Sequence, residues 1–237
     1  MDGTKAAELQ IIATGVYEHA LHDLAAAFAA RTGRQVAFII TNAGGVPAKL
    51  DANETADVVM TSSTGIDSLA VKGRVVGATK VDVGGMRLAI AVRSGMPAPD
   101  IGTPDAVREA LRAATVASID PHGGGTSGPF IDKLFSRLGI ADEVRARGVL
   151  CATGADVVRA VACGRATLGL TQAAELIGSP GIAFAGFLPD DLQLVTVYSA
   201  AVAAKAKLPA AAADFIAFIT GPDAAGRWRR SGWSAAA

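Results

Sequence analysis

Thr115-Val-Ala-Ser-Ile-Asp-Pro-His-Gly-Gly-Gly-Thr-Ser-Gly-Pro-Phe-Ile-Asp-Lys-Leu-Phe-Ser-Arg-Leu-Gly139 holds a strand, a glycine-rich turn and a helix in succession. Val116, Ala117 and Ile119 make a short apolar run of strand length. Phe130, Ile131, Leu134 and Leu138 recur at helical spacing, and Gly139 is a natural stop. Pro129 suits a first helical position, where a missing N–H costs nothing. Gly123, Gly124, Gly125 and Gly128 let backbone N–H groups approach a ligand, and Thr126 and Ser127 add hydroxyls. Free N–H groups and the positive end of a helix dipole together predict an anion seat.

The same glycines spell G-x-G-x-x-G at 123, 125 and 128, the pattern of a dinucleotide turn. That fold needs an acidic residue at the end of the next strand to hold a ribose. The next strand-like run, Gly148-Val-Leu-Cys-Ala-Thr153, ends without one, and Asp120-Pro121-His122 loosens the turn. A third reading gives the glycines only a turn to make.

The chain outside this stretch repeats its pattern. Leu9–Thr14 is a strand, and Gly15 opens a helix in which Val16, Ala20, Leu21, Leu24 and Phe28 keep period until Gly33. Gln35–Ile40 is a second strand, followed by the turn Thr41-Asn-Ala-Gly-Gly45 and a short helix from Val46 to Ala52. Ala56–Met60 is a third, followed by Thr61-Ser-Ser-Thr-Gly65 and a helix through Leu69. This βαβαβα order predicts a parallel sheet with right-handed crossovers. Met86–Val92 is a long apolar strand, and Arg93–Pro99 breaks the pattern. Thr103 and Pro104 start a helix. After the anchor stretch come strand 148–152, a helix carrying Val157, Val158, Val161 and Ala162, strand Ala166–Leu170, and a short helix opened by Thr171-Gln172. Leu192–Tyr198 and Ala200–Ala203 form a return strand, and Pro209 and Pro222 start two closing helices. The predicted architecture is α/β, with a discontinuous first lobe (1–93 plus 196–237) and a second lobe (94–195) around a cleft.

Bulk properties narrow the function. Lys plus Arg and Asp plus Glu each total 22, so the net charge is zero. That argues against a nucleic-acid or membrane-surface partner. Arg227, Arg229 and Arg230 read as a solvated helix face. No apolar run reaches spanning length. The first residues lack a basic n-region and an apolar h-region. The expectation is therefore either a cytoplasmic protein or the mature form of an exported, periplasmic one. Cys151 and Cys163 read as two buried free thiols. Neither belongs to a metal pattern, and no cofactor is expected. The G-x-S-x-G and H-E-x-x-H signatures of hydrolases are missing.

Several stretches carry a resemblance: Ala13-Thr-Gly-Val-Tyr-Glu-His-Ala-Leu21, Asn42-Ala-Gly-Gly-Val-Pro-Ala-Lys-Leu50, Ala56–Met60, Arg87–Val92, Gly154–Gly164 into Gly169, and the ending Gly221–Trp233. In this order the chain resembles the molybdate-binding branch of the type II periplasmic solute-binding proteins. The resemblance implies a Venus-flytrap fold that closes on a small anion, a monomer, and an ABC permease as partner. It implies ligand contacts at Thr14, Gly15, Val16, Ala43, Gly44, Gly45, Ser62, Ser63, Gly125, Thr126, Ser127, Gly128, Thr171 and Gln172. Molybdate-type members offer serines in the first and second turns. Here the matching places hold Gly15-Val16 and Ala43-Gly44-Gly45, and a tyrosine position matches Phe130. A bare oxyanion would lose its hydroxyl donors, and unmet anion valences are costly. One or more carboxylates fit better, with Arg87 either a bidentate contact or a strand-end surface residue.

The main expectation is thus a solute-binding protein for a di- or tricarboxylate. The alternative is an enzyme on the same fold, since the branch also looks related to aconitate isomerase. Moving a double bond requires a proton taken beside one carboxylate and returned elsewhere. His122, His19 and Tyr17 are the candidate groups for that role.

Overall fold

The computed structural model describes residues 8–123 and 125–235. The chain forms two compact units: residues 1–85 with 197–237, and residues 86–196.

The first unit is built on parallel strands. β1 (Leu9–Thr14) lies between β2 (Val36–Thr41) and β3 (Val58–Ser62), parallel to both. β9 (Val195–Val202) carries the chain back into this unit and pairs antiparallel with β3, Met60 opposite Ala200. A 3-10 turn, Gly15–Tyr17, leads from β1 into α1 (Glu18–Thr32), which ends at Gly33 with φ 73°. A left-handed stop of this kind suits glycine. α2 (Gly45–Asp51) and α3 (Ser63–Val71) follow β2 and β3. α9 (Pro209–Thr220) and α10 (Pro222–Arg230) pack with α1, where Phe28 meets Phe215 edge to face at 5.1 Å. On another core surface Ile12, Val46, Val59, Ile66 and Ala201 cluster, all fully buried. Asp57 is buried too, and its carboxylate accepts the N–H groups of Gln10 and Leu208 at 3.0 and 2.8 Å. A buried charge held by backbone donors offsets its desolvation, and here it ties the start of α9 to β1.

The second unit begins within β4 (Val81–Arg93), which enters it at Met86. β7 (Leu168–Gln172) and β8 (Ile182–Phe187) both pair antiparallel with β4. β7 is parallel to β5 (Val116–Ile119), and β5 to β6 (Val149–Cys151). α4 (Pro104–Ala113) is capped by Thr103, whose Oγ1 accepts the Ala106 N–H at 3.1 Å. α5 (Ser127–Arg137), α6 (Ala141–Arg147), α7 (Gly154–Ala162) and α8 (Ala173–Leu176) complete the unit. Leu88, Ile90, Val107, Leu111, Val116, Ile131, Leu134 and Leu170 form its core.

Two local expectations are corrected, and two elements lie outside them. Pro129 is the third residue of α5, because the helix starts at Ser127. Cys163 is exposed, while Cys151 is buried, and both are free thiols. α6 was not anticipated, since Val144 is its only buried residue and no apolar period shows. β8 was not anticipated either; Gly186, at φ 145°, interrupts a short, half-exposed run. No helix among the described residues is long and apolar enough to cross a membrane.

Candidate functional site

In open α/β sheets ligands bind beyond the carboxyl ends of the strands, where helices begin. Both units present such an edge.

In the first unit Thr41 and Thr14 sit side by side in register, with Thr61 following Met60, which pairs with Ala13. Thr14 is 5% exposed, and among the described residues its buried Oγ1 has no hydrogen-bond partner. It stands at the start of the 3-10 turn that leads into α1, and neither that turn nor α1 has a side-chain cap. Gly15 is half-buried and Val16 buried. The other two turns are satisfied internally. Asn42 Oδ1 accepts the Gly45 N–H at 2.7 Å, beside the half-buried Ala43 and the exposed Gly44. Ser62 Oγ accepts the Gly65 N–H at 3.2 Å and so caps α3; Ser63 is the first residue of that helix.

Tyr17 supports this edge from below. It is fully buried, and its hydroxyl lies 3.4 Å from the Thr61 carbonyl and 3.1 Å from that of Ser199, donating to them. Tyr198, Trp228 and Trp233 surround its ring at 5.0–6.0 Å. Burial, then the nearby Tyr198 and Asp82, push its pKa well above that of a free phenol. Tyr17 is thus buried, with its hydroxyl engaged by two backbone carbonyls. His19 is exposed on α1.

In the second unit the anchor turn joins β5 to α5. Asp120 Oδ1 accepts the His122 N–H at 2.9 Å, and its carbonyl accepts that of Gly123 at 3.1 Å. His122 itself is exposed. Gly128 serves packing: a Cβ there would run into the Asp120 carbonyl and lie 3.1 Å from Pro121 Cα. Thr126 precedes α5 without capping it, because its hydroxyl is hydrogen-bonded to that of Thr196 at 3.1 Å. Gly125 is half-buried and Ser127 buried at the helix start. Thr171, fully buried at the end of β7, donates to Glu175 Oε2 at 2.6 Å, and Gln172 is buried beside it. Arg87, read either as a ligand contact or as a strand-end surface residue, pairs with the exposed Asp190. Its guanidinium bonds Asp190 at 2.8 Å and lies 4.8 Å from the Phe187 ring centre.

At the carboxyl edges of the parallel strands the starts of α1, α5 and α8 have no side-chain cap among the described residues, and at α2 it is Asn42, ahead of the cap position, that takes the Gly45 N–H. α3 and α7 are capped, by Ser62 and by Thr153, whose Oγ1 accepts the Asp156 N–H at 3.2 Å. Free N–H groups at an uncapped start, with the dipole behind them, favour an anion. Among the described residues no group of His, Cys, Asp or Glu can hold a metal ion.

The two α/β units have the type II periplasmic binding fold. The chain belongs to the family of bacterial extracellular solute-binding proteins, whose profile matches residues 9–234. It is 32% identical over 224 residues to an aconitate isomerase from a Pseudomonas species, a match covering 92% of this chain and 84% of that protein. The fold is shared with the periplasmic molybdate-binding protein of Azotobacter vinelandii, at a TM-score of 0.82 and 19% identity over 97% of this chain and 100% of that one. PEB3 with L-phospholactate bound gives a TM-score of 0.76 at 17% identity, over 95% and 99% of the two chains.

Proposed function

We propose that this protein binds a small organic anion carrying two or more carboxylates, as a periplasmic solute receptor serving an ABC permease. The observation that carries this reading is the buried Thr14 hydroxyl, which has no hydrogen-bond partner among the described residues and stands at the uncapped turn leading into α1. A bare tetrahedral oxyanion draws on several hydroxyls at once, but those of Ser62, Thr126 and Thr171 already have protein partners. PEB3, of like fold, was solved with a ligand whose name describes a phosphorylated hydroxy acid.

A second reading is favoured by the aconitate isomerase relative. In it the ligand is an unsaturated polycarboxylate, and a proton is taken beside one carboxylate and returned at the far end of the double-bond system. His122, on the anchor turn, is the candidate for the transfer.

The test is a thermal-shift and calorimetric panel of molybdate, tungstate, sulfate, dicarboxylates and tricarboxylates. A ligand bound only by the folded protein raises its melting temperature. The expected result is a rise with a di- or tricarboxylate, and a response to molybdate alone would refute the reading. Proton NMR of the bound carboxylate over time then separates the two activities: a new isomer makes the protein an isomerase, and an unchanged ligand makes it a receptor.

A further inference from the structure

The first unit also has a cavity at the amino end of its parallel strands, away from the edge that carries Thr14. About 180 Å³ in volume, it is lined by Asn53 and Thr55 ahead of β3, by Arg74 after α3, and by Lys205 and Lys207 after β9. Ala56 is part of the same wall, and extended chain from there to Ser62, at the other end of β3, spans about 20 Å. The walls are rich in hydrogen-bond donors. Lys205 Nζ donates to Asn53 Oδ1 at 3.0 Å, which leaves the Asn53 amide NH2 to donate elsewhere. Among the described residues the side chains of Thr55 and Lys207 have no hydrogen-bond or ion-pair partner. Glu54 is the one carboxylate among the described wall residues, and both its oxygens are taken by Lys49 Nζ, at 3.1 and 3.4 Å. Arg74 pairs with Asp51. Those two pairs cancel, and Lys205 and Lys207 remain as a surplus of positive charge. The nearby Asp57 is buried and held by backbone N–H groups. The bordering helix ends are closed as well: the carbonyls of Lys49, Leu50, Leu69 and Ala70 accept the N–H groups of Glu54, Asn53, Arg74 and Gly73.

We infer that this cavity is a second anion site, for a phosphate dianion, either free or as the monoester of a small molecule. Its donors come from separate segments, the 53–55 loop, Arg74 and the 205–207 loop. That arrangement suits a tetrahedral group, whose oxygens point several ways, better than a flat carboxylate. The charge left on Lys205 and Lys207 matches that of the dianion. Both lysines are exposed, so the attraction is screened and weakens as salt rises. The site is independent of the carboxylate-binding reading above, because none of its residues belongs to the carboxyl edge.

The test is calorimetric titration of the whole protein with sodium phosphate and with glycerol 2-phosphate, against sodium chloride at equal ionic strength. A saturable response to at least one of the two is expected, and the tighter one tells a free from an esterified phosphate. A response no greater than that to chloride overturns the inference. Lys205→Gln and Lys207→Gln each remove one positive charge, and each should weaken phosphate binding by about threefold or more. Both positions are exposed, so the fold should persist, and thermal melting checks that it does. Thr14→Val and Ser127→Asp act at the carboxyl edges and should leave phosphate binding unchanged. If they abolish it while the lysine variants do not, phosphate binds at the ligand edge and the inference fails. Amide NMR locates the anion without any substitution. Phosphate should shift the signals of Asn53, Thr55 and Lys207, and shifts confined to residues 14–16 or 125–128 overturn the inference. A carboxylate that binds should keep its affinity in Lys207→Gln, so the failure of either reading is seen apart from the other.

Discussion

Replacing Thr14 by valine should stabilise the empty protein and cripple its binding. The two side chains have nearly the same shape, so the change removes one hydroxyl. In the unliganded fold that hydroxyl is buried and unpartnered on a residue 5% exposed. Mutational data put the cost of such a group at about 1–3 kcal/mol. Taking the lower end, Thr14→Val gains about 1 kcal/mol, which for a protein of this size raises the melting temperature by about 2–4 °C. With ligand present the sign reverses. A hydroxyl donating to a carboxylate contributes about 1.5–3 kcal/mol, so its loss weakens binding by about 10- to 150-fold. Thermal unfolding without ligand and calorimetric titration with the best carboxylate measure the two effects. A variant that melts lower and binds as before would refute the reasoning, because the hydroxyl would then serve the interior and not the ligand.

Other expectations follow from the same geometry. Ser127→Asp places a carboxylate at the open start of α5 and should abolish anion binding while circular dichroism and melting show an intact fold; retained binding would show that the anchor turn is not a seat. Tyr17, with its pKa raised by burial, deprotonates more readily in the unfolded chain than in the folded one. Its contribution is therefore fully present below the unfolded value of about 10 and is lost as pH rises beyond it. Stability should fall above that pH less steeply in Tyr17→Phe, which at neutral pH is itself less stable by about 1 kcal/mol for the lost hydroxyl bonds. Burial and then Asp156 raise the pKa of the Cys151 thiol, whereas Cys163 is exposed. Iodoacetamide near neutral pH should modify Cys163 and spare Cys151 until the protein is unfolded, as peptide mass spectrometry would show.

Much of the fold was legible because apolar spacing and helix punctuation are local properties. The strand Leu9–Thr14 and the stop at Gly33 were read from period and glycine alone, and Thr103-Pro104 announced α4. The anchor turn was legible as a helix start, yet the role of Gly128 was not. It clears the Asp120 carbonyl, a contact set by how α5 folds back on its own turn. Arg87 illustrates another limit. Its charge is visible in the sequence, but its partner Asp190 lies far along the chain. The packing of Glu175 over Gly154 was missed for a similar reason, since nothing in Ala173-Ala-Glu-Leu176 points to Gly154.

By itself the sequence determined the α/β class, the glycine-rich helix start at 123–128 and the neutral surface charge, since each depends on residue type and spacing along one segment. Only the tertiary structure decided which hydroxyls remain available. Thr14, Ser62, Thr126 and Thr171 look alike as strand-end hydroxyls, but three of them find protein partners and Thr14 finds none among the described residues. Hydrogen bonding is settled by which groups the fold brings within about 3 Å, and segments distant in the chain supply several of those partners.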